Sequence, residues 1–142
     1  MARVQVALNV SNIDRAVEFY RTLFQTEPAK RRPGYANFAI ADPPLKLVLI
    51  EGAGEPGSLN HIGVEVASTG EVATEGARLR REGFDLLQED GVTCCYALQD
   101  KFWVTGADNL AWEFYTVLAD APATVQSVAR QEPDAVPGHC GC

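Results

Sequence analysis

Apolar and polar residues follow two different periods in the first half of the chain. Residues 4–10 form a strand-like segment, and apolar residues then recur at helical spacing in Ile13, Ala16, Val17, Tyr20 and Phe24. Ser11 and Asp14 have the spacing of a helix-starting box. Three strand-like stretches follow, a short one within 28–33 and longer ones at 35–40 and 45–50. The first half therefore predicts the order β-α-β-β-β.

The same order restarts near residue 60, so the chain contains an internal repeat. Gln5 and His61 occupy corresponding places in the two opening strands, 56 residues apart. Ser68 and Glu71 have capping-box spacing before a second helix. The repeat predicts an α+β fold of two β-α-β-β-β modules, 3–52 and 58–118, in pseudo-two-fold arrangement. We expect them to form an open, cup-shaped mixed sheet around a metal site.

The two modules are expected to make a single domain over residues 1–120. Beyond it, the composition shifts toward alanine, proline and aspartate, and 121–142 is predicted to be a tail that ends in Cys140-Gly141-Cys142. The tail cysteines are a second group of soft ligands, since thiolates prefer soft metals and metalloids. They either supply a third thiol to the site or have no role, and the sequence leaves both alternatives open.

Charge and composition exclude several classes of partner. The net charge of −7 argues against nucleic acid or an anionic membrane as a partner, since both attract basic surfaces. No apolar stretch approaches the length of a membrane span, and the N-terminus lacks a secretory pattern. We therefore expect a cytoplasmic protein whose four cysteines are reduced, and hence ligands or nucleophiles rather than disulfides.

Three polar residues on predicted strands are candidates for a metal site. Gln5 and His61 fall at equivalent repeat positions, and Glu113 lies on the last strand. An amide oxygen, an imidazole and a carboxylate form a donor set that suits Fe(II), Mn, Ni, Co or Zn, and three protein ligands leave positions open for catalysis. The alternatives are a structural core role for His61 and a solvent-facing Glu113.

Cys94 and Cys95 are adjacent and form a candidate trap for a thiophilic substrate. Trivalent arsenic binds two or three thiolates, so a close pair is the smallest specific site. Neighbours in a regular strand point to opposite faces, and joint binding therefore requires a turn, bulge or loop at this pair. The alternative is that one or both cysteines are small buried hydrophobic residues.

Several sequence motifs resemble one known family. The repeat with Gln5, His61 and Glu113 resembles the vicinal oxygen chelate superfamily of glyoxalases and extradiol dioxygenases. More narrowly, the chain is similar to the ArsI-type carbon–arsenic lyases and the cadmium-induced proteins over about residues 3–120. The segments that carry this likeness are Arg3-Val4-Gln5, 33–38, 42–49, 60–66, Thr93-Cys94-Cys95-Tyr96 and Gln99-Asp100-Lys101.

This resemblance implies an enzyme of arsenical detoxification that uses Fe(II) and O₂ to cleave the carbon–arsenic bond of trivalent methyl or aromatic arsenicals. The products would be arsenite and an oxidised organic fragment. Gln5, His61 and Glu113 would hold the iron, with Ni, Co or Zn as other occupants of the site. Cys94 and Cys95 would bind arsenic and act in catalysis. A trivalent organoarsenical and O₂ would be the partners, and a homodimer is left open.

Two other functions remain open at the level of sequence. A non-catalytic resistance protein would bind cadmium or arsenite through Cys94, Cys95 and the tail. A glyoxalase-like lyase would need an acidic ligand at the end of the first module, where residues 45–50 offer only apolar residues and Lys46, with Glu51 just beyond.

Overall fold

A computed structural model describes residues 2–94 and 96–120 of the chain. Ten elements follow one another in two β-α-β-β-β runs. The first run is β1 (Arg3–Val10), α1 (Ile13–Phe24), β2 (Lys30–Arg32), β3 (Tyr35–Ile40) and β4 (Leu45–Glu51). The second is β5 (Leu59–Glu65), α2 (Thr69–Arg81), β6 (Leu87–Cys94), β7 (Ala97–Thr105) and β8 (Ala111–Asp120). The predicted α+β class with two modules of this order is confirmed.

The chain divides into two compact units, with the boundary between Ile62 and Gly63, inside β5. The first unit is therefore Arg3–Ile62, and the second begins at Gly63. The prediction of a single domain over residues 1–120 stays a prediction. The predicted tail, 121–142, lies outside the described residues.

The first unit is organised around β4. This strand pairs parallel with β1 and antiparallel with β3, whose other edge carries β2, and β5 lies next to β1. One face of the sheet packs against α1. The buried side chains of that core are Ile13, Val17, Ala36, Phe38, Ile40, Leu47 and Leu49. Burying each large apolar side chain stabilises the fold by about 1.5–3 kcal/mol.

The second unit repeats this plan with longer strands. β7 pairs antiparallel with β6 and with β8, and β8 lies next to β5. Its core contains Val66, Val72 and Phe102, and the rings of Phe102 and Phe114 stack with centroids 5.1 Å apart. β6 and β7 run through their polar residues, and the register of this pair shifts between Glu89 and Val92.

The two helix starts differ in how well the sequence predicted them. At α2, Ser68 is the N-cap and its Oγ accepts from the backbone N–H of Glu71, as predicted. At α1, the N-cap is Asn12, whose Oδ1 accepts from the backbone N–H of Arg15 at 3.0 Å, and not Ser11. Adjacent cap-forming residues compete, and tertiary contacts choose between them. Neither helix is long and apolar enough to span a membrane, within the part of the chain described.

Candidate functional site

Gln5 and His61 lie side by side in the first unit. They occupy the neighbouring strands β1 and β5, and their side chains are buried, at 5% and 3% exposure. The amide Nε2 of Gln5 lies 3.2 Å from the imidazole Nε2 of His61. The structure therefore brings together the two candidate ligands that correspond in the repeat.

The other ring nitrogen of His61 is held by its chain neighbour. His61 Nδ1 lies 2.7 Å from the side-chain oxygen of Asn60, an atom that only accepts hydrogen bonds. Nδ1 therefore carries the hydrogen of the neutral ring. The Nε2 atom keeps its lone pair, to which the Gln5 amide donates. A metal ion requires that lone pair, so the arrangement fits a metal-binding histidine.

Glu113 lies in the second unit, on β8, and is 3% exposed. The alternative that it faces solvent is wrong. Its Oε1 accepts from Lys101 Nζ at 2.5 Å, and Lys101 is 1% exposed. The ammonium also lies 5.5 Å from the ring centroid of Trp103 and 5.9 Å from that of Tyr115. The ion pair sets a cation directly against the buried carboxylate, and the two rings enclose that cation.

Lys101 belongs to the family motif Gln99-Asp100-Lys101, and its pairing with Glu113 was not predicted from the sequence. A signal for it was present, since Gln99, Lys101 and Trp103 recur at every second position and all three are buried. Gln99 also bears on the thiol region. Its Nε2 donates to the backbone carbonyl of Cys94 at 3.2 Å, and its Oε1 has no hydrogen-bond partner among the described residues. The amide thus helps to fix the position of the last residue of β6.

Cys94 is the last residue of β6 and is 5% exposed. β7 begins at Ala97, its pairing partner, and Tyr96 between them has a φ of +63°. The strand thus ends where the predicted thiol site required it to end. Cys94 is, however, disulfide-bonded, which corrects the expectation of four reduced thiols. Cys95, Cys140 and Cys142 lie outside the described residues.

The candidate ligand set is chemically coherent, although it contains few strong ligands. Among residues 2–94 and 96–120, no group of three or more His, Cys, Asp or Glu side chains is placed to hold a metal. The predicted set has only two residues of these types, because its third member is the neutral amide of Gln5. Rotating that amide by half a turn exchanges the positions of its nitrogen and its oxygen. The oxygen can then bind a metal ion. The complete set of Gln5, His61 and Glu113 stays a prediction.

Comparison with known proteins identifies the family. The sequence profile of the Glyoxalase/Bleomycin resistance protein/Dioxygenase superfamily matches residues 3–114. Among solved structures, the Mn(II)-bound glyoxalase from Novosphingobium aromaticivorans is similar, with a TM-score of 0.59 and 19% identity, over 85% of this chain and 42% of that one. At this identity the likeness concerns the fold alone. The chain belongs to the Glyoxalase/Bleomycin resistance protein/Dioxygenase superfamily.

Within the superfamily, the chain is similar to two groups of relatives. It is 60% identical over 121 residues to the cadmium-induced protein CadI of Mycobacterium tuberculosis (strain ATCC 25618 / H37Rv), covering 85% of this chain and 80% of that protein. It is 54% identical over 122 residues to the trivalent organoarsenical cleaving enzyme of Thermomonospora curvata, covering 85% of this chain and 81% of the enzyme. The resemblance predicted from the sequence is confirmed for both groups.

Proposed function

We propose that this protein is an Fe(II)- and O₂-dependent enzyme that cleaves the carbon–arsenic bond of trivalent methyl or aromatic arsenicals. The observation that carries the proposal is the 54% identity to a trivalent organoarsenical cleaving enzyme over 85% of the chain. The enzyme would act in arsenical detoxification in the cytoplasm, with the arsenical and O₂ as its partners. The buried polar residues described above support this chemistry.

Gln5, His61 and Glu113 would hold the iron, which would supply oxygen activation when bound. His61 presents an unprotonated Nε2, because Asn60 holds the hydrogen of the ring on Nδ1. Gln5 would rotate its amide to present oxygen in place of nitrogen. Glu113 would bring a full negative charge, which Lys101 compensates in the metal-free protein. Oxygen and nitrogen donors suit Fe(II), and they also suit Ni, Co or Zn.

Cys94 and Cys95 would bind the arsenic atom through two thiolates. A disulfide sulfur has no thiolate to offer, so the bond at Cys94 must be reduced before substrate binds. Binding through sulfur would hold the arsenical in place and convert a chance encounter with activated oxygen into a local reaction. For methylarsonous acid, one molecule of it and one of O₂ give one formaldehyde and one arsenous acid. The balance needs no further reductant, since carbon is oxidised and O₂ is reduced.

Oxygen uptake tests the proposal. The protein is reduced with a phosphine, which has no thiol to compete for arsenic, then loaded anaerobically with Fe(II) and mixed with oxygenated buffer and methylarsonous acid. We expect one O₂ to be consumed for each arsenical, with no uptake when the arsenical is omitted. No arsenical-dependent uptake by the reduced, iron-loaded protein would contradict the proposal.

Single substitutions assign the roles. Cys94→Ser and Cys95→Ser should abolish oxygen uptake while iron stays bound, and Cys140→Ser and Cys142→Ser test whether the tail supplies a third thiol. Glu113→Ala should lose iron and still bind the arsenical. Iron lost from the Cys94 or Cys95 variants would instead make the thiols metal ligands. Unchanged activity of Glu113→Ala would remove Glu113 from the site.

A second candidate is a resistance protein that binds cadmium or arsenite through its cysteines without catalysis. The 60% identity to the cadmium-induced protein CadI favours it. Such a protein would bind Cd(II) or arsenite tightly and consume no oxygen with a methylarsenical. The same oxygen measurement, combined with calorimetric titration of Cd(II), separates the two functions.

A glyoxalase-like lyase is less well supported by the first unit. In that alternative the acid at the end of β4 would be a fourth metal ligand. Glu51, the acid at this position, binds the start of α1 instead. Its Oε1 accepts from the backbone N–H of Ile13 at 3.0 Å, where the N-terminus of α1 favours a negative charge.

A further inference from the structure

A chain of side-chain hydrogen bonds leads away from His61 within the first unit. Asn60 accepts from His61 Nδ1 at 2.7 Å, and its own Nδ2 donates to Asn9 Oδ1 at 2.9 Å. Asn9 Nδ2 then donates to Ser58 Oγ at 2.9 Å. Ser58 Oγ donates in turn to the backbone carbonyl of Glu55 at 2.5 Å. These hydrogen bonds join β1, β5 and the loop between β4 and β5.

The backbone carbonyl of Glu55 fixes the direction of every hydrogen bond in this series from Ser58 to His61. A backbone carbonyl only accepts, so Ser58 must use its single hydrogen on Glu55 and must accept from its other neighbour. Asn9 therefore turns its amino group to Ser58 and its oxygen to Asn60. Asn60 must then direct its amino group to Asn9, and its oxygen to the imidazole.

We infer that Asn9, Asn60 and Ser58 are positioning residues that set the tautomer of His61. Through them the Glu55 carbonyl places the ring hydrogen on Nδ1, and the lone pair stays on Nε2. The value of this arrangement for metal binding rests on the ligand role proposed for His61. The tautomer itself is a property of the metal-free protein and is independent of that role.

The loop around Gly54 holds Asn9 in the required place. The backbone N–H of Asn9 donates to the Ser58 carbonyl at 2.9 Å, and the Asn9 carbonyl accepts from Gly57 at 2.8 Å. A Cβ atom on Gly54 would lie 2.7 Å from Asn9 Nδ2. Real Cβ atoms do not approach so closely, so any larger residue at 54 would displace the amide. Gly54 is therefore part of the positioning device.

Nitrogen NMR on the metal-free protein tests the inference directly. The His139→Gln variant leaves His61 as the sole histidine, and long-range ¹H–¹⁵N spectra then distinguish protonated from unprotonated ring nitrogens. We expect Nδ1 to be protonated and Nε2 unprotonated at a pH where the ring is neutral. The opposite tautomer as the main form would overturn the inference.

Substitution of Asn9 has a matched control. Asn9 and Asn37 are both 5% exposed and lie in the same unit, but Asn37 donates to the Tyr35 hydroxyl and takes no part in the chain. In the His139→Gln background, Asn9→Ala should shift the tautomer ratio about fivefold toward the Nε2-protonated form, because a hydrogen bond of about 1 kcal/mol no longer fixes which way the Asn60 amide faces. Asn37→Ala should leave the ratio unchanged. Equal ratios in both variants would overturn the inference.

Asn60 allows a rescue that a purely structural role would not show. Asn60→Ala should shift the tautomer ratio as Asn9→Ala does. Asn60→Asp should restore the Nδ1-protonated form, because a carboxylate only accepts and so requires the hydrogen on Nδ1. If the Asn9 variant does not fold, Ser58→Ala should give a smaller shift in the same direction, and no shift there overturns the inference.

Metal affinity separates this inference from the proposed function. Loss of an outer hydrogen bond to a metal-bound histidine costs about tenfold to a hundredfold in affinity. Co(II), followed by its absorption, should therefore bind at least about tenfold more weakly to Asn60→Ala, which loses that hydrogen bond, than to Asn37→Ala. A tautomer shift without any change in Co(II) affinity would remove His61 from the metal site and leave the positioning inference standing.

Discussion

The two units bury their polar side chains by different means. In the first unit, His61 is satisfied by neutral groups, from Gln5 on one side to Asn60 on the other. In the second, Glu113 is satisfied by the charge of Lys101. When one residue is lost from a series of neutral hydrogen-bonded side chains, the others can reverse their donor and acceptor roles. When one residue is lost from an ion pair, the other charge stays buried without compensation. The same module order thus supports two sites with different sensitivity to mutation.

The largest effect is expected at the buried ion pair. Lys101→Met should lower the free energy of unfolding of the metal-free protein by about 3–5 kcal/mol, because the Glu113 charge stays buried without its partner. Urea unfolding measures this. The control is Lys46→Met, at a less buried lysine of the first unit, which should cost clearly less.

A double variant sharpens this test. Lys101→Met combined with Glu113→Leu removes both charges, and should recover much of the stability lost in the single variant. If the double variant is as unstable as Lys101→Met, packing of the lysine stem, and not charge, is what the single substitution disturbs.

A smaller effect is expected where glycine lets the backbone pass close to Glu113. A Cβ on Gly63 would lie 2.5 Å from the Glu113 carbonyl oxygen, so Gly63→Ala must move a strand and should cost about 1–3 kcal/mol. Gly70, in α2, has its nearest such atom at 3.7 Å. Gly70→Ala should therefore stabilise the protein, by about 0.5–1 kcal/mol, through helix propensity. Equal thermal midpoints for both variants would contradict the close approach.

The hydrogen bond from Trp103 to Glu89 should contribute less. Trp103 Nε1 donates to Glu89 Oε1 at 3.0 Å, between β7 and β6. Glu89→Leu should lower the free energy of unfolding by about 0.5–1.5 kcal/mol, the usual net contribution of one hydrogen bond. Glu89→Gln keeps an acceptor oxygen and should stay near wild type. Similar losses in both variants would show that the charge of Glu89, and not the hydrogen bond, stabilises this edge.

The smallest effect belongs to an exposed ion pair on α1. The hydrogen bond and the charge of Arg21 hold the pKa of Glu18 below its usual value. The stabilisation is therefore present above the unfolded pKa, about 4.3, and is lost as pH falls through the lower folded pKa. Glu18→Gln should lower the thermal midpoint slightly at pH 7, less than any variant above, and not at all at strongly acidic pH. An undiminished difference in acid would contradict the ion-pair origin.

The periodicity of apolar residues was sufficient to predict most helices and strands, because apolar spacing indicates which face of a helix or strand is buried. It located α1, β1, β3 and β4 almost to the residue, and the internal repeat paired Gln5 with His61. It failed where the choice is made by distant contacts. Asn12 is the cap of α1 instead of Ser11, and the bonds that join Asn9 to Asn60 cross between strands that are 51 residues apart in sequence.

The thiol region shows the same limit. Joint binding by two thiols requires a turn, bulge or loop at Cys94-Cys95, and β6 ends at Cys94. The disulfide at Cys94 was not predicted, because the expectation of reduced thiols came from the predicted cytoplasmic location and not from the residues around Cys94. The role of Lys101 was also missed, because its partner Glu113 lies on the neighbouring strand, and charge pairing across a sheet follows from register and not from either strand alone.

Arsenic speciation after a single incubation is the most direct test of carbon–arsenic cleavage. Reduced, Fe(II)-loaded protein is mixed with methylarsonous acid in air, the protein is denatured to release bound arsenic, and the arsenic species are separated and quantified. The account predicts conversion to arsenite with matching formaldehyde, and none in Glu113→Ala. Complete recovery of the methylarsenical, despite its binding to the protein, would contradict it.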